Sequence, residues 1–399
     1  MSDMKASAAA APNIKKGFKK EISAESFIFP VVFIGFFALF ISKMGIANTL
    51  NTMMNTAYAL MMDTVLYLVA ISVLMGAISA LFSEFGLVTL INRLLSPLMK
   101  PIYGLPGAAS LGVVTTYLSD NPAILTLAED SYFRRFFKAY QLPALTNLGT
   151  AFGMGLIVSA FMLSQEAITG ESYLLSVIIG TLGAVVGSII STRLMLHFTA
   201  KRFGKDMPAD GAVSDTEFEH IRPIREGSVM NRLIAALLDG GKSGVQLGIG
   251  IIPGVLVICT FVLMLTNGPS EAGVYTGAAY EGIAILPMLA EKVNFILAPL
   301  FGFSSPESIA VPVTALGAAG AAISLVPHLL SNGLASGSDV AVFTAMCMCW
   351  SGYLSTHISM MGTLKATELT GKAILSHTIG GFFAGVAACW LYRLVALFF

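Results

Sequence analysis

Apolar and polar positions alternate along this chain in long blocks. Continuous apolar runs at about 26–42, 57–82, 139–163, 172–198, 243–266, 338–361 and 373–397 approach or exceed the roughly 20 residues that a helix needs to cross a hydrocarbon core of about 30 Å, which predicts seven spans. Two other apolar stretches do not fit that length. Within 101–130 the run breaks at Ser119-Asp120-Asn121-Pro122. The half before the break, Pro106 to Tyr117, makes roughly 18 Å of helix, enough to enter a bilayer but not to leave it. Pro122 removes a backbone donor and biases Asn121 away from helical angles, while Asp120 or Asn121 can cap a second short helix over 123–129. Helix, tip and helix make a re-entrant hairpin. Non-helical backbone at membrane depth persists only against protein or a watery cavity, so the tip is expected to face a polar site inside the protein.

The second irregular stretch, 299–333, starts with Ser305 as an expected N-cap and Pro306 at the first helical position, and breaks around Gly317-Ala318-Ala319-Gly320. Each hairpin follows an amphipathic interfacial segment, 86–100 or 281–299, and precedes two spans. Pro101-Ile102-Tyr103-Gly104-Leu105 matches Pro299-Leu300-Phe301-Gly302-Phe303 at a spacing of 198 residues, which argues for internal duplication. Three spans per unit is an odd number of crossings, so the copies must lie upside down to one another. The expected fold class is an all-α polytopic membrane protein with about seven transmembrane helices and two re-entrant helical hairpins in two inverted repeats. The expected units are a cytoplasmic tail (1–25), a first span with its outer loop (26–56), repeat 1 (57–200, hairpin 101–130), a cytoplasmic connector (201–240) and repeat 2 (241–399, hairpin 299–333).

Composition agrees with that pattern: 55% of the 399 residues are hydrophobic and 12% charged, with a mean hydropathy of +0.79, against roughly 25% charged residues in soluble domains. With a formal net charge of zero, the placement of the charges carries the information. Lys15, Lys16, Lys19 and Lys20 put the N-terminus in the cytoplasm, and the next basic groups alternate so that the C-terminus is expected outside, in a cytoplasmic (inner) membrane. The N-terminal run is read as a retained first span, since no convincing small-residue cleavage site follows it. Cys259, Cys347, Cys349 and Cys389 all sit in apolar segments without metal or redox spacing and are expected as buried free thiols. No phosphate-binding loop, zinc-protease helix or nucleophile elbow occurs, so no enzyme activity, cofactor or resident metal is expected. Nor does anything point to nucleic acid.

The interfacial helix, the Pro-x-x-Gly turn, the broken hairpin and the following span resemble the "gate" or nucleoside-recognition superfamily. That superfamily includes the core of concentrative nucleoside transporters, the membrane part of ferrous iron transporter B and spore maturation proteins A and B. The resemblance covers about 57–200 and 240–399. It implies a secondary active transporter of a small polar solute, nucleoside-like in one version, working by alternating access with Na+ or H+ coupling. Expected partners are that solute and the lipid bilayer, and a homo-oligomer is compatible with the pattern. The spore maturation relatives imply an alternative, a non-transporting component for assembly or maturation; ion or metal permeation ranks last, because few carboxylates lie in the apolar runs. The first tip carries Ser119, Asp120 and Asn121 where nucleoside transporters have a Gln-Thr-Glu type of cluster, and the second tip is uncharged.

The candidate substrate-binding residues are Ser119, Asp120 and Asn121 at the first tip, Asn147 and Thr150 in span three, and Ser351, Tyr353 and His357 in span six. Each is expected near the bilayer midplane: Asn147 is about 13 Å into its span and Ser351 about as far into its own from the other side. Capping by Asp120 and Asn121, helix-to-helix bonding by Asn147 and a satisfied core histidine at His357 are the competing structural roles. Asp63 in span two reads equally as a loop-proximal charge or a coupling group.

Overall fold

The computed structural model describes residues 21–129, 131–209, 224–270 and 272–398. The N-terminal lysines and the middle of the expected connector, 210–223, lie outside the described residues. Among those described, the regular structure is helical and no strand forms. Six helices are long and apolar enough to cross a membrane: Ala24–Met44, Ile46–Glu84, Gln141–Thr169, Leu174–Phe203, Val229–Thr266 and Thr367–Val395. The expected sixth span does not run unbroken; it is two helices, Gly337–Cys349 and Tyr353–Thr363. The second hairpin is entered through a 77° bend between Asn294–Phe301 and Pro306–Ala315.

Two expected boundaries move. The stretch read as a polar outer loop up to residue 56 is helical from Ile46, after a single break at Gly45. Its polar side chains bind another segment instead of water: Asn48 and Asn55 donate to the carbonyls of Tyr275 and Gly277 at 3.0 and 2.8 Å. The connector is shorter than read, because helix resumes at Val229 with Ser228 accepting from the Asn231 N–H. Arg225, just before that start, and Arg232, in the first turn, each donate to the buried Glu84 carboxylate at 2.7 Å, tying the ends of the two longest helices together. At 38 and 39 residues, these helices far exceed what a bilayer requires. They cross backbone to backbone, since a Cβ on Gly244 would overlap Ser72 and one on Gly240 would overlap Gly76.

Ser305 occupies the expected N-cap position by backbone angle, but its side chain caps nothing. The centre of the molecule is made of half-spans. Every residue from Leu142 to Thr150 and from Asp339 to Cys349 is buried, as befits helices surrounded by protein on all sides. Leu174–Phe203 and Thr370–Val395 pack against them, with Gly187 so close to Gly380 that a Cβ would stand 2.6 Å from its carbonyl. Ala24–Met44, by contrast, buries only Phe40 and Met44. All four cysteines are free and buried.

The five-residue match seen in the sequence is a conformational match as well. Gly104 and Gly302 both take left-handed angles, φ 75 and 61°, where an interfacial helix ends before its hairpin. Each is held by an arginine from a later span: Arg193 donates to the carbonyls of Ile102 and Pro101, and Arg393 to that of Ala298.

Candidate functional site

Four interruptions of helix define the site. The first hairpin is Ala109–Leu118, then a tip, then Pro122–Glu129, close to the expected limits. At the tip Ser119 leaves helical angles and its hydroxyl turns back to the Thr115 carbonyl at 2.6 Å. Asp120 accepts from the Asn121 N–H at 2.7 Å, a local bond that competes with helix continuation. The second tip lies between Ala310–Ala315 and Ala319–Ile323. The third span unwinds between Thr150 and Gly155 and the sixth between Cys349 and Tyr353; Met154 and Gly352, at φ 54 and 58°, restart the helix in each case.

These interruptions touch. The Asn121 side-chain amide donates to the Ser351 carbonyl, joining the first tip to the break in span six. A Cβ on Gly153 would overlap the Asn121 side chain and stand 2.9 Å from that of Ser351, so the third-span break can approach both only as glycine. On the other side the Gly352 N–H donates to Ala315 at 3.4 Å, and a Cβ on Gly352 would lie 3.2 Å from the Gly317 carbonyl at the second tip. Both tips and both breaks therefore meet.

Between them is a cavity of about 400 Å³. Asp120, Asn121 and Ser351 line it, together with Gln246, the second tip (317–320), Ser355 and Thr356. Among the described residues Asp120 is its single charged group, and the Asn121 side-chain oxygen is buried without a partner. Gln246 was missed by the sequence reading. It lies in an otherwise apolar run, with Gly250 and Gly254, which also line the cavity, four and eight residues further along the same helix face.

The remaining candidates do not line this cavity, and this corrects the expectation that all eight converge there. Ser119 and Thr150 each bond back to their own helix, Thr150 to the Thr146 carbonyl at 2.6 Å. Asn147 is fully buried and donates to the Ser191 hydroxyl and the Ala373 carbonyl, both at 3.0 Å. The Ser191 hydroxyl meets His377 Nδ1 at 2.9 Å, and His377 Nε2 donates to the Cys349 carbonyl. His357 donates from Nδ1 to the Tyr353 carbonyl at 2.8 Å and packs on His377 with ring centroids 4.7 Å apart, while the Tyr353 hydroxyl bonds Thr378 at 2.6 Å. Ser119, Thr150 and His357 bond back within their own segments, while Asn147 and Tyr353 bond across helix contacts, where a desolvated polar group finds a partner. Their network holds the sixth span to spans three, four and seven. Asp63 sits apart in a π-helical segment, Leu60–Val65, beside Tyr280 and His328. Among the described residues no group of three or more metal-ligating side chains gathers.

Paired broken hairpins, two interrupted spans and a shared central cavity define a polytopic membrane-protein architecture found in solved transporters. The chain is similar to the concentrative nucleoside transporter CNTnw in an inward-facing substrate-bound state, with a TM-score of 0.51 and 13% identity over 80% of this chain and 74% of that one. It is similar also to a CNTnw variant in an outward-facing state, with a TM-score of 0.54 and 14% identity over 83% and 75%. The likeness is one of fold. No family model matches the chain. An uncharacterized protein of Alkalihalophilus pseudofirmus is 22% identical over 238 residues, which is 57% of this chain; the chain spans half the length of that relative.

Proposed function

We propose that this protein is a secondary active transporter of a small polar solute, nucleoside-like in size and polarity, that works by alternating access with Na+ or H+ coupling. The observation that carries the reading is the meeting of two hairpin tips and two unwound spans at one cavity. Half-helix ends there leave N–H and C=O groups free to hold a solute and a cation without many charged side chains. The volume of about 400 Å³ falls within the roughly 300–1,000 Å³ of small-molecule sites. The fold shared with CNTnw, in an inward-facing substrate-bound and an outward-facing form, supports the same reading.

In this scheme Asp120, Asn121, Gln246, Ser351, Ser355 and Thr356 contact the solute or its coupling ion, and the Asn147–Ser191–His377 network keeps the broken spans in register. The protein sits in the cytoplasmic membrane with its N-terminus inside. The uncharged second tip favours a second reading, a non-transporting assembly component, because it adds no side-chain recognition to the cavity. Uptake into proteoliposomes under an imposed Na+ or H+ gradient, with nucleosides tried first, separates the two. Gradient-dependent accumulation that is lost in Asn121→Ala upholds transport, and gradient-independent, mutation-insensitive counts for every solute class sink it.

A further inference from the structure

Arg193, His197, Lys201 and Lys205 recur every fourth residue, a spacing that stacks them on one helical face. The helix Leu174–Phe203 carries the first three, and Lys205 follows just past its end at Gly204. With Gly104 and Tyr140, these four line a cavity of about 460 Å³ separate from the central one. Like charges stacked in this way repel and cost helix stability unless an anion joins them.

Carboxylates lie close by but are engaged elsewhere. Arg202 pairs with Glu368 at 3.1 Å, and Asp206 reaches Lys138 at 3.8 Å. Among the described residues no carboxylate lies within ion-pair distance of Lys201 or Lys205.

Two routine explanations account for only part of the cluster. Lysines in the last turn complement the helix dipole and mark the cytoplasmic end of a span, which covers Lys201 but not Arg193, ten residues before the helix ends. Arg193 also braces the turn before the first hairpin, donating from Nε to Ile102 at 2.8 Å and from Nη2 to Pro101 at 2.6 Å. That leaves Nη1 without a partner, pressed toward Gly104, where a Cβ would stand 3.0 Å from it. The second repeat provides an internal control. Arg393 braces the equivalent turn at Ala298 and lies over Trp390, and Leu397 stands four residues on, where His197 follows Arg193. Bracing therefore does not require a basic residue one turn on.

We propose that this cavity is an anion site for a phosphate group, with the free Arg193 Nη1 at its floor and the Lys201 and Lys205 ammonium groups at its mouth, and that the phosphate is the headgroup of an anionic phospholipid. A fixed guanidinium offers directional donors to phosphate oxygens, and flexible lysines add charge at the membrane surface. The site is independent of the transport reading, since none of its residues lines the central cavity.

The test uses the full chain in nanodiscs of phosphatidylcholine alone or with added phosphatidylglycerol, read by retained lipid in native mass spectrometry and by thermal unfolding. Phosphatidylglycerol is expected to be retained and to raise the unfolding temperature. The double variant Lys201→Gln/Lys205→Gln is expected to weaken retention on the order of tenfold or more, while Lys242→Gln, which removes an exposed lysine elsewhere, leaves it intact. Stabilisation by millimolar inorganic phosphate without phosphatidylglycerol retention keeps the anion site and moves its ligand to free phosphate. Equal retention of phosphatidylglycerol by the native chain and the double variant, or no preference over phosphatidylcholine together with no response to phosphate, overturns the proposal.

Discussion

Met154 and Gly352, 198 residues apart, hold the same left-handed backbone, φ 54 and 58°, at the restart of two interrupted spans. The Pro101/Pro299 and Gly104/Gly302 pairs have the same spacing, so the register of the duplication extends from the hairpin entrance to the centre of the molecule. A left-handed residue costs roughly 1–2 kcal/mol for any side chain with a Cβ and little for glycine. Met154→Gly and Met154→Ala both delete a side chain buried in the core, and the glycine variant, which alone relieves the left-handed strain, is expected to keep the higher unfolding temperature of the two. Gly352→Ala is expected to lower the unfolding temperature, because the new Cβ adds a 3.2 Å approach to the Gly317 carbonyl. Equal unfolding temperatures for the two Met154 variants would mean that the shared conformation carries no strain.

Asn121 links the first tip to the sixth-span break through the Ser351 carbonyl, and its other side-chain atom is an unpartnered acceptor at the cavity. Asn121→Ala should cut the initial uptake rate at least tenfold while the protein stays monodisperse. Gly153→Ala should do the same by displacing the Asn121 side chain. Full-rate uptake in both variants would remove Asn121 from the site.

Asn147 is expected to behave differently. Its loss leaves the Ala373 carbonyl buried without its donor, at a cost on the order of 1–3 kcal/mol. Asn147→Ala should lower thermal stability while leaving the solute concentration for half-maximal uptake within about twofold. A large change in that concentration with unchanged stability would return Asn147 to the cavity wall.

Glu281 predicts an acid-sensitive loop. Burial raises the affinity of its carboxyl for a proton, but the Thr276 hydroxyl and the backbone N–H groups of Thr276, Gly277 and Ala278 outweigh that and hold it below the usual carboxylate range. A depressed folded pKa contributes stability above the unfolded value of about 4.3, and that contribution is lost as pH falls through the folded value. Protection of the 274–283 amides from hydrogen exchange should therefore hold down to about pH 4.3 and then fall. Glu281→Gln should weaken the protection at neutral pH and flatten its acid dependence. A pH profile unaltered in the variant would refute the role.

The first hairpin, its break at Ser119 to Pro122 and the repeat were legible in the sequence because they are local. A proline, short polar side chains and a run too short to span a bilayer act on the few residues around them, whatever the rest of the chain does. The same reasoning gives the polar residues of spans three and six an expected depth, since depth follows from 1.5 Å of rise per residue. Facing was decided by the tertiary structure alone. Once packed helices surround a half-span such as Gln141–Thr150, no lipid-facing side remains to orient it, and a polar residue has a protein neighbour in every direction. Asn147 and His357 then turn toward helix contacts that desolvate them, and Asn121 and Gln246 toward the cavity. The unwinding at Met154 has a local signal only in the flanking Gly153 and Gly155, which packed spans also use for close helix contacts; the break falls where the first tip needs the space beside Gly153.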